Sequence, residues 1–184
     1  MTQKPETLLW KRLKEKIPPH WHTTRIENRY GGGVPDVYMC AESVPFWVEL
    51  KITNNNRVNV SAHQVAWNYA HCKSGGVSFY LVHPLSSSNL YLFDGIHGRE
   101  LVVHGLSRVG SGLAGDCLWS GDDWPGLIGV MAGIARGRVG SGLPTRSGRV
   151  GVGTQGRVGV GVQGPGSKDG AGAATNCPWP GPGV

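Results

Sequence analysis

Cysteine is scarce in this chain. Cys40, Cys72, Cys117 and Cys177 are the four among 184 residues, and no two of them form a CxxC pair. They read as reduced thiols, two of them in the core. His20 and His22, in PPHWHTT, have no cysteine or histidine partner at zinc-ligand spacing, so they read as a loop running into a strand. No run of eighteen or more apolar residues occurs, which argues against a membrane-spanning helix. The first segment, MTQKPETLLWKRLKEKI, is charged throughout and lacks the apolar stretch of a signal peptide, so a cytoplasmic location is expected. Acids are also few: 12 Asp and Glu against 18 Lys and Arg, for a net charge of +6. Such an excess favours a polyanionic partner.

Composition divides the chain near residue 105. Of 30 glycines, 22 lie beyond it. RVGSGL occurs at 108–113 and 138–143, and GRVGVG at 148–153 and 156–161. Residues 1–105 therefore read as one domain, and residues 106–184 as a Gly/Arg-rich, low-complexity tail. That tail has little to bury and much chain entropy to lose, and is expected to be mostly disordered. The stretch WPGLIGVMAGIA (124–135) is apolar enough to form a short helix or to dock on the core. The arginines of the tail suit loose phosphate contacts; the competing and stronger reading is a repetitive gene end, or a misread reading frame, with no selected function.

Within 1–105 the periodicity is that of an ordinary globular domain. Pro5 to Ile17 is predicted helical, with Glu6, Leu9, Trp10, Leu13 and Ile17 on one stripe and Pro18-Pro19 ending it. Glu6 on that stripe is either a first-turn acid favoured by the helix dipole or an acid aimed into a site. Strands are predicted at 22–28, 34–40 and 46–52, the last two as antiparallel neighbours. Ser61 caps a predicted helix, AHQVAWNYAHCK, whose buried stripe is expected to be Ala62, Val65, Ala66 and Tyr69. VSFYLV (77–82) reads as a buried strand that the crossover helix makes parallel to an earlier one. LYLFDG and RELVVHG read as a final strand pair. The result is an α/β fold with an αβββαβ core around a mixed sheet.

The third strand contains Glu49-Leu50-Lys51, and Pro35-Asp36 opens the second. Strand side chains alternate, so Glu49 and Lys51 share a face, and Asp36 lies on the adjacent strand. Two neighbouring carboxylates repel unless a cation joins them. Asp36, Glu49 and the Leu50 carbonyl offer three oxygens to a hard divalent ion such as magnesium, with Lys51 alongside. Hydrolysis of a phosphodiester uses this combination: a Lewis acid, an activated water and positive charge for the pentavalent phosphorus. The competing reading is an ion pair on a solvated strand face.

Pro35-Asp36 followed by Glu49-Leu50-Lys51, on consecutive strands of an αβββαβ order, resembles the PD-(D/E)xK nuclease superfamily. Gln64 in SAHQVAW, Gly75-Gly76 and the strand VSFYLV are similar to the group holding the virus-type replication-repair nuclease (VRR-NUC) domain and archaeal-type Holliday junction resolvases. Stand-alone members of this kind are frequent in bacteriophages. The resemblance covers residues 6 to 105 and none of the tail. It implies a restriction-endonuclease-like fold and a nuclease that depends on magnesium, with manganese able to substitute. It assigns metal binding to Asp36 and Glu49, assistance of the water or transition state to Lys51, and orientation of the site or a phosphate contact to Gln64. Glu6 stands as the N-terminal acid of the pattern, with Glu27 as the other candidate. A homodimer is implied for cutting two strands.

Arg25, Arg29, Arg57 and Lys73 flank these positions in sequence and are candidate DNA contacts, with Asn54 to Asn56 beside Arg57. No helix-turn-helix, zinc finger or basic zipper is present. A core this small leaves little surface for reading bases, which favours selection of DNA by structure: junctions, branches, duplex or ends. A catalytically idle DNA-binding or adaptor protein, and an RNA-directed nuclease, are the alternatives.

Overall fold

The computed structural model describes residues 5–26 and 32–141, the last two of these without their side chains. Glu27 and Arg29, the C-terminal repeats from 142 onward and Cys177 lie outside the described residues. Contacts divide the chain into two units, 1–148 and 149–184; everything below concerns the first.

Six strands form one sheet in the order β1-β2-β3-β4-β5-β6: β1 His22–Arg25, β2 Val37–Ala41, β3 Val44–Thr53, β4 Ser78–Pro84, β5 Leu90–Asp94 and β6 Trp119–Gly121. All neighbouring pairs are antiparallel except β3 and β4. That pair is parallel because the crossover helix α2, Ala62–Lys73, carries the chain back before β4 begins. With α1, Pro5–Lys16, in front, the order is the αβββαβ core expected from the sequence, in a mixed α/β fold. The β2–β3 hairpin is tight. Glu42 (φ 49°) and Ser43 (φ 70°) form a two-residue loop with both residues in the left-handed region, which suits the strand twist.

Two apolar layers cover the sheet. On one face, Leu9, Trp10 and Leu13 of α1 pack with Val37, Met39, Phe46, Val48 and Leu50. On the other, Val58, Val60, Tyr80, Val82, Phe93 and Leu101 cluster with half-buried Val65 of α2.

Three expectations need correction. RELVVHG is not a strand: Gly98–His104 is a short helix, α3, in which Leu101 is buried while Val102 and Val103 face out. Gly98 is required there because a side chain would collide with the Tyr80 hydroxyl, 2.4 Å from the position of a Cβ. The buried stripe of α2 is not Ala62, Ala66 and Tyr69, which are exposed; Asn68 and Cys72 are buried, with Val65 beside them. The boundary at residue 105 falls inside the compact unit. Helix α4, Trp124–Ser141, buries Leu127, Ile128, Met131, Ala132 and Ala135 against the α1 face of the sheet. Asp123 starts this helix by accepting the Gly126 amide (3.0 Å), and Arg138 near its end pairs with Asp94 of β5. The expectation that 124–135 docks is met, and the helix continues beyond it. No described helix is long and apolar enough to cross a membrane.

Candidate active site

The site forms where β3 outruns β2. Val37 pairs with Val48, so Asp36, just before β2, stands beside Glu49. Leu50 has no backbone partner on that edge, and its amide donates to Asp36 Oδ2 (2.8 Å). The N–H and C=O of one strand residue point to the same edge, so the Leu50 carbonyl faces this opening as well.

Glu49 is 1% exposed, unusual for a carboxylate. Its Oε1 lies 3.1 Å from Lys51 Nζ and accepts from Gln64 Nε2 (2.5 Å). Its Oε2 is buried without a hydrogen-bond partner. Burial, and secondly the negative charge of Asp36, push the Glu49 carboxyl from 4.5 to about 7, against the opposing pull of Lys51. Gln64 completes a closed ring of contacts. Its Oε1 accepts from Lys51 Nζ (2.9 Å) and from the Ser61 amide (3.0 Å), while the Ser61 hydroxyl accepts the Gln64 amide (3.2 Å). That is a capping box, so the start of α2 and the positions of Glu49 and Lys51 are set by one side chain.

The cleft at this point is lined by Glu6, Arg25, Asp36, Glu49, Leu50, Lys51 and Gln64. Glu6 arrives from the first turn of α1. Arg25 arrives from the end of β1, where its guanidinium donates to Thr7 Oγ1 (3.4 Å). Among the described residues no three His, Cys, Asp or Glu side chains gather closely enough to hold a metal by themselves. Two carboxylates and a carbonyl, with the orphaned Glu49 Oε2 among them, fit an ion that takes oxygen ligands and keeps several waters.

Two further expected DNA contacts stand apart from this cleft. Arg57 is exposed in the loop after β3. That loop is held by the protein itself: Asn55 Oδ1 accepts the Arg57 amide (2.8 Å), Asn56 Nδ2 donates to the His104 carbonyl (3.3 Å), and the Leu106 amide donates to the Asn56 carbonyl (2.9 Å). Lys73 is in the last turn of α2, about 13 Å along the axis from Gln64 at 1.5 Å per residue, with its Nζ 5.4 Å from the Tyr69 ring centre.

Sequence reading missed the layer behind Gln64. Asn68 Nδ2 (2.9 Å) and the Tyr80 hydroxyl (3.3 Å) both donate to the Gln64 carbonyl. Both residues are fully buried, and burial holds the Tyr80 hydroxyl far above its ordinary value. Asn68 lies four residues after Gln64, on the same helix face, a spacing visible in the sequence. Gly33 was missed too. It sits at φ +97°, and a Cβ there would fall 2.3 Å from the His63 carbonyl, so only glycine lets the loop before Asp36 lie against the start of α2.

No protein-family model matches the chain, and no curated protein matches it in sequence. Among solved structures the chain is similar to Hjc, a Holliday junction resolvase of the archaeal hyperthermophile Archaeoglobus fulgidus. The identity is 14%, the TM-score is 0.39, and the match covers 50% of this chain and 74% of that one.

Proposed function

We propose that this chain is a divalent-metal-dependent nuclease that hydrolyses phosphodiester bonds in DNA, within the PD-(D/E)xK superfamily and nearest its VRR-NUC and junction-resolvase members. The observation that carries this reading is Glu49: a buried carboxylate, beside Asp36, with one oxygen left without a partner in a cleft open to solvent. An ion pair with Lys51 accounts for Oε1, while the same carboxyl also meets Asp36, and two adjoining carboxylates need a proton or a cation between them. Asp36, Glu49 and the Leu50 carbonyl would hold magnesium or manganese. The bound ion would supply Lewis acidity and lower the pKa of a water.

The protein's own groups divide the remaining work. Lys51 Nζ, fixed between Glu49 and Gln64, presents an ammonium to the charge that develops on phosphorus oxygens. Gln64 keeps Lys51 and Glu49 in register without adding charge. Arg25 puts a second cation on the cleft wall, suited to the phosphate next to the scissile one. Glu6 contributes a further acid at the cleft margin. The described residues include no base-reading element, so the substrate in this reading is selected by structure, as duplex or branched DNA, and a homodimer provides for cleavage of both strands.

The test is cleavage of labelled linear duplex, single strand, flap and four-way junction, with magnesium or with EDTA. Magnesium-dependent cutting is expected, falling at least about a hundredfold in Lys51→Ala and Asp36→Ala. DNA binding without cutting, unchanged by either substitution, would instead establish an idle nuclease-fold DNA-binding protein.

A further inference from the structure

Among the described residues, no helix covers one half of the α2 side of the sheet. On β1, β2 and β3 this face carries His22, Thr24, Tyr38, Cys40 and Trp47, all exposed or half-buried, whereas Val37, Met39 and Ala41 on the opposite face are buried. The rings form a continuous row. His22 and Tyr38 are 6.0 Å apart between ring centres, Tyr38 and Trp47 5.2 Å, and Trp47 and Trp67 of α2 5.4 Å; Trp67 stacks on His71 at 4.8 Å. The row is built in place. Gly76 makes room for its last member, since a Cβ there would fall 2.3 Å from His71 Nε2.

The position of the row relates it to the cleft. Trp47 is two residues before Glu49 on the same strand and points to the same face, about 7 Å away at strand spacing. Trp67 is one helical turn beyond Gln64. The row carries no carboxylate, and cations stand at both ends of α2: Lys51 with Arg25 at the cleft, Lys73 at the far end. Aromatic faces next to cations bind unpaired bases, because every base has a stacking face while the phosphates meet the charges. Paired bases present no such face.

We propose that the row His22–Tyr38–Trp47–Trp67 is a stacking surface for an unpaired DNA segment next to the scissile phosphate, so that the preferred substrate has a single-stranded portion beside the cut. This rests on the nuclease reading for the identity of the substrate but is tested without cleavage.

The experiment measures anisotropy of a fluorescein-labelled 12-nucleotide single strand and of a matching duplex, titrated with the full chain in EDTA. Trp67→Ala is expected to weaken single-strand binding about tenfold relative to duplex, the scale of losing one stacked base. Trp67→Phe, which keeps an aromatic face, is expected to restore most of it, and His22→Ala, at the exposed sheet edge, to weaken it two- to fivefold. Equal affinity of wild type and both alanine variants for single strand would overturn the proposal. So would a change of oligomeric state in sedimentation without a change in single-strand affinity, which would make this face an interface between copies of the chain. The wild-type cleavage assay with magnesium decides the nuclease reading separately: absence of cutting leaves the stacking surface standing, and loss of stacking leaves cutting standing.

Discussion

Replacing Glu49 with glutamine is expected to abolish cleavage and, without metal, to make the protein more stable. The activity loss should reach at least about a thousandfold, because one ligand oxygen and its charge are removed from the reacting centre. The gain in stability follows from linkage. The Glu49 carboxyl titrates near 7 in the fold against an ordinary value of 4.5. The folded state therefore holds its proton more tightly than the unfolded chain does. That contribution is fully present below about pH 4.5 and is lost as pH rises through about 7. At pH 8 the ionised, buried carboxylate has forfeited roughly 3 kcal/mol, at about 1.4 kcal/mol for each unit of pKa difference. A neutral amide of the same shape avoids that loss. Urea unfolding in EDTA should show wild type weakening between pH 5 and 8, and Glu49→Gln weakening less and being about 1–3 kcal/mol more stable at pH 8. Parallel pH profiles for the two proteins would show that Glu49 carries no buried charge.

Cutting the chain after residue 105 is expected to unfold it, whereas cutting after residue 148 should not. Leu127 and Met131 are fully buried and Ile128 nearly so, each at the α4 contact with the sheet. Burying side chains of this size stabilises by about 1.5–3 kcal/mol apiece, and a domain's total stability is only about 5–15 kcal/mol. Losing α4 also uncovers apolar residues of α1 and β3 and removes Arg138 from Asp94. Circular dichroism and solubility of the two truncations separate the cases. A soluble, cooperatively melting 1–105 fragment would mean that α4 adds little to the fold. Any comparison of activity with and without the Gly/Arg-rich end should be made with the longer fragment.

The site was more legible than the elements around it. Asp36, Glu49 and Lys51 could be placed on one face because strand alternation is strict, and the few residues between the predicted strands 34–40 and 46–52 left antiparallel pairing as the natural arrangement. Gln64 was found by its place in a motif, and the capping box explains it physically: a helix-start glutamine satisfies Ser61 while reaching two site residues. Asn68 was passed over because a buried polar residue looks like a surface one until its acceptor, the Gln64 carbonyl, is in place.

The errors have common causes. Val102 and Val103 suggested a strand through their β-branched side chains, yet both are exposed on α3, and the local structure is set by Leu101 and by the fit of Gly98 over Tyr80. In α2, small and aromatic residues at Ala62, Ala66 and Tyr69 outweighed Asn68 and Cys72 in a hydropathy reading, although the latter face the sheet. In α4, Gly126, Gly129, Gly133 and Gly137 each cost about 1 kcal/mol of helix propensity relative to alanine, and they set the domain boundary too early, although 124–135 itself reads as apolar enough to form a helix or dock. The pattern Leu127, Ile128, Met131, Ala132, Ala135 nevertheless has helical spacing, and burial against the sheet offsets the glycines.

The most direct measurement of the central claim, that Asp36 and Glu49 form a seat for a divalent ion, is calorimetric titration of magnesium or manganese into the full chain at pH 8. Wild type should bind an ion with release of heat or protons, and Glu49→Gln should lose this binding or weaken it at least tenfold. Equal binding by the two proteins, or none by wild type, would contradict the account of this cleft as a metal-dependent phosphodiesterase centre.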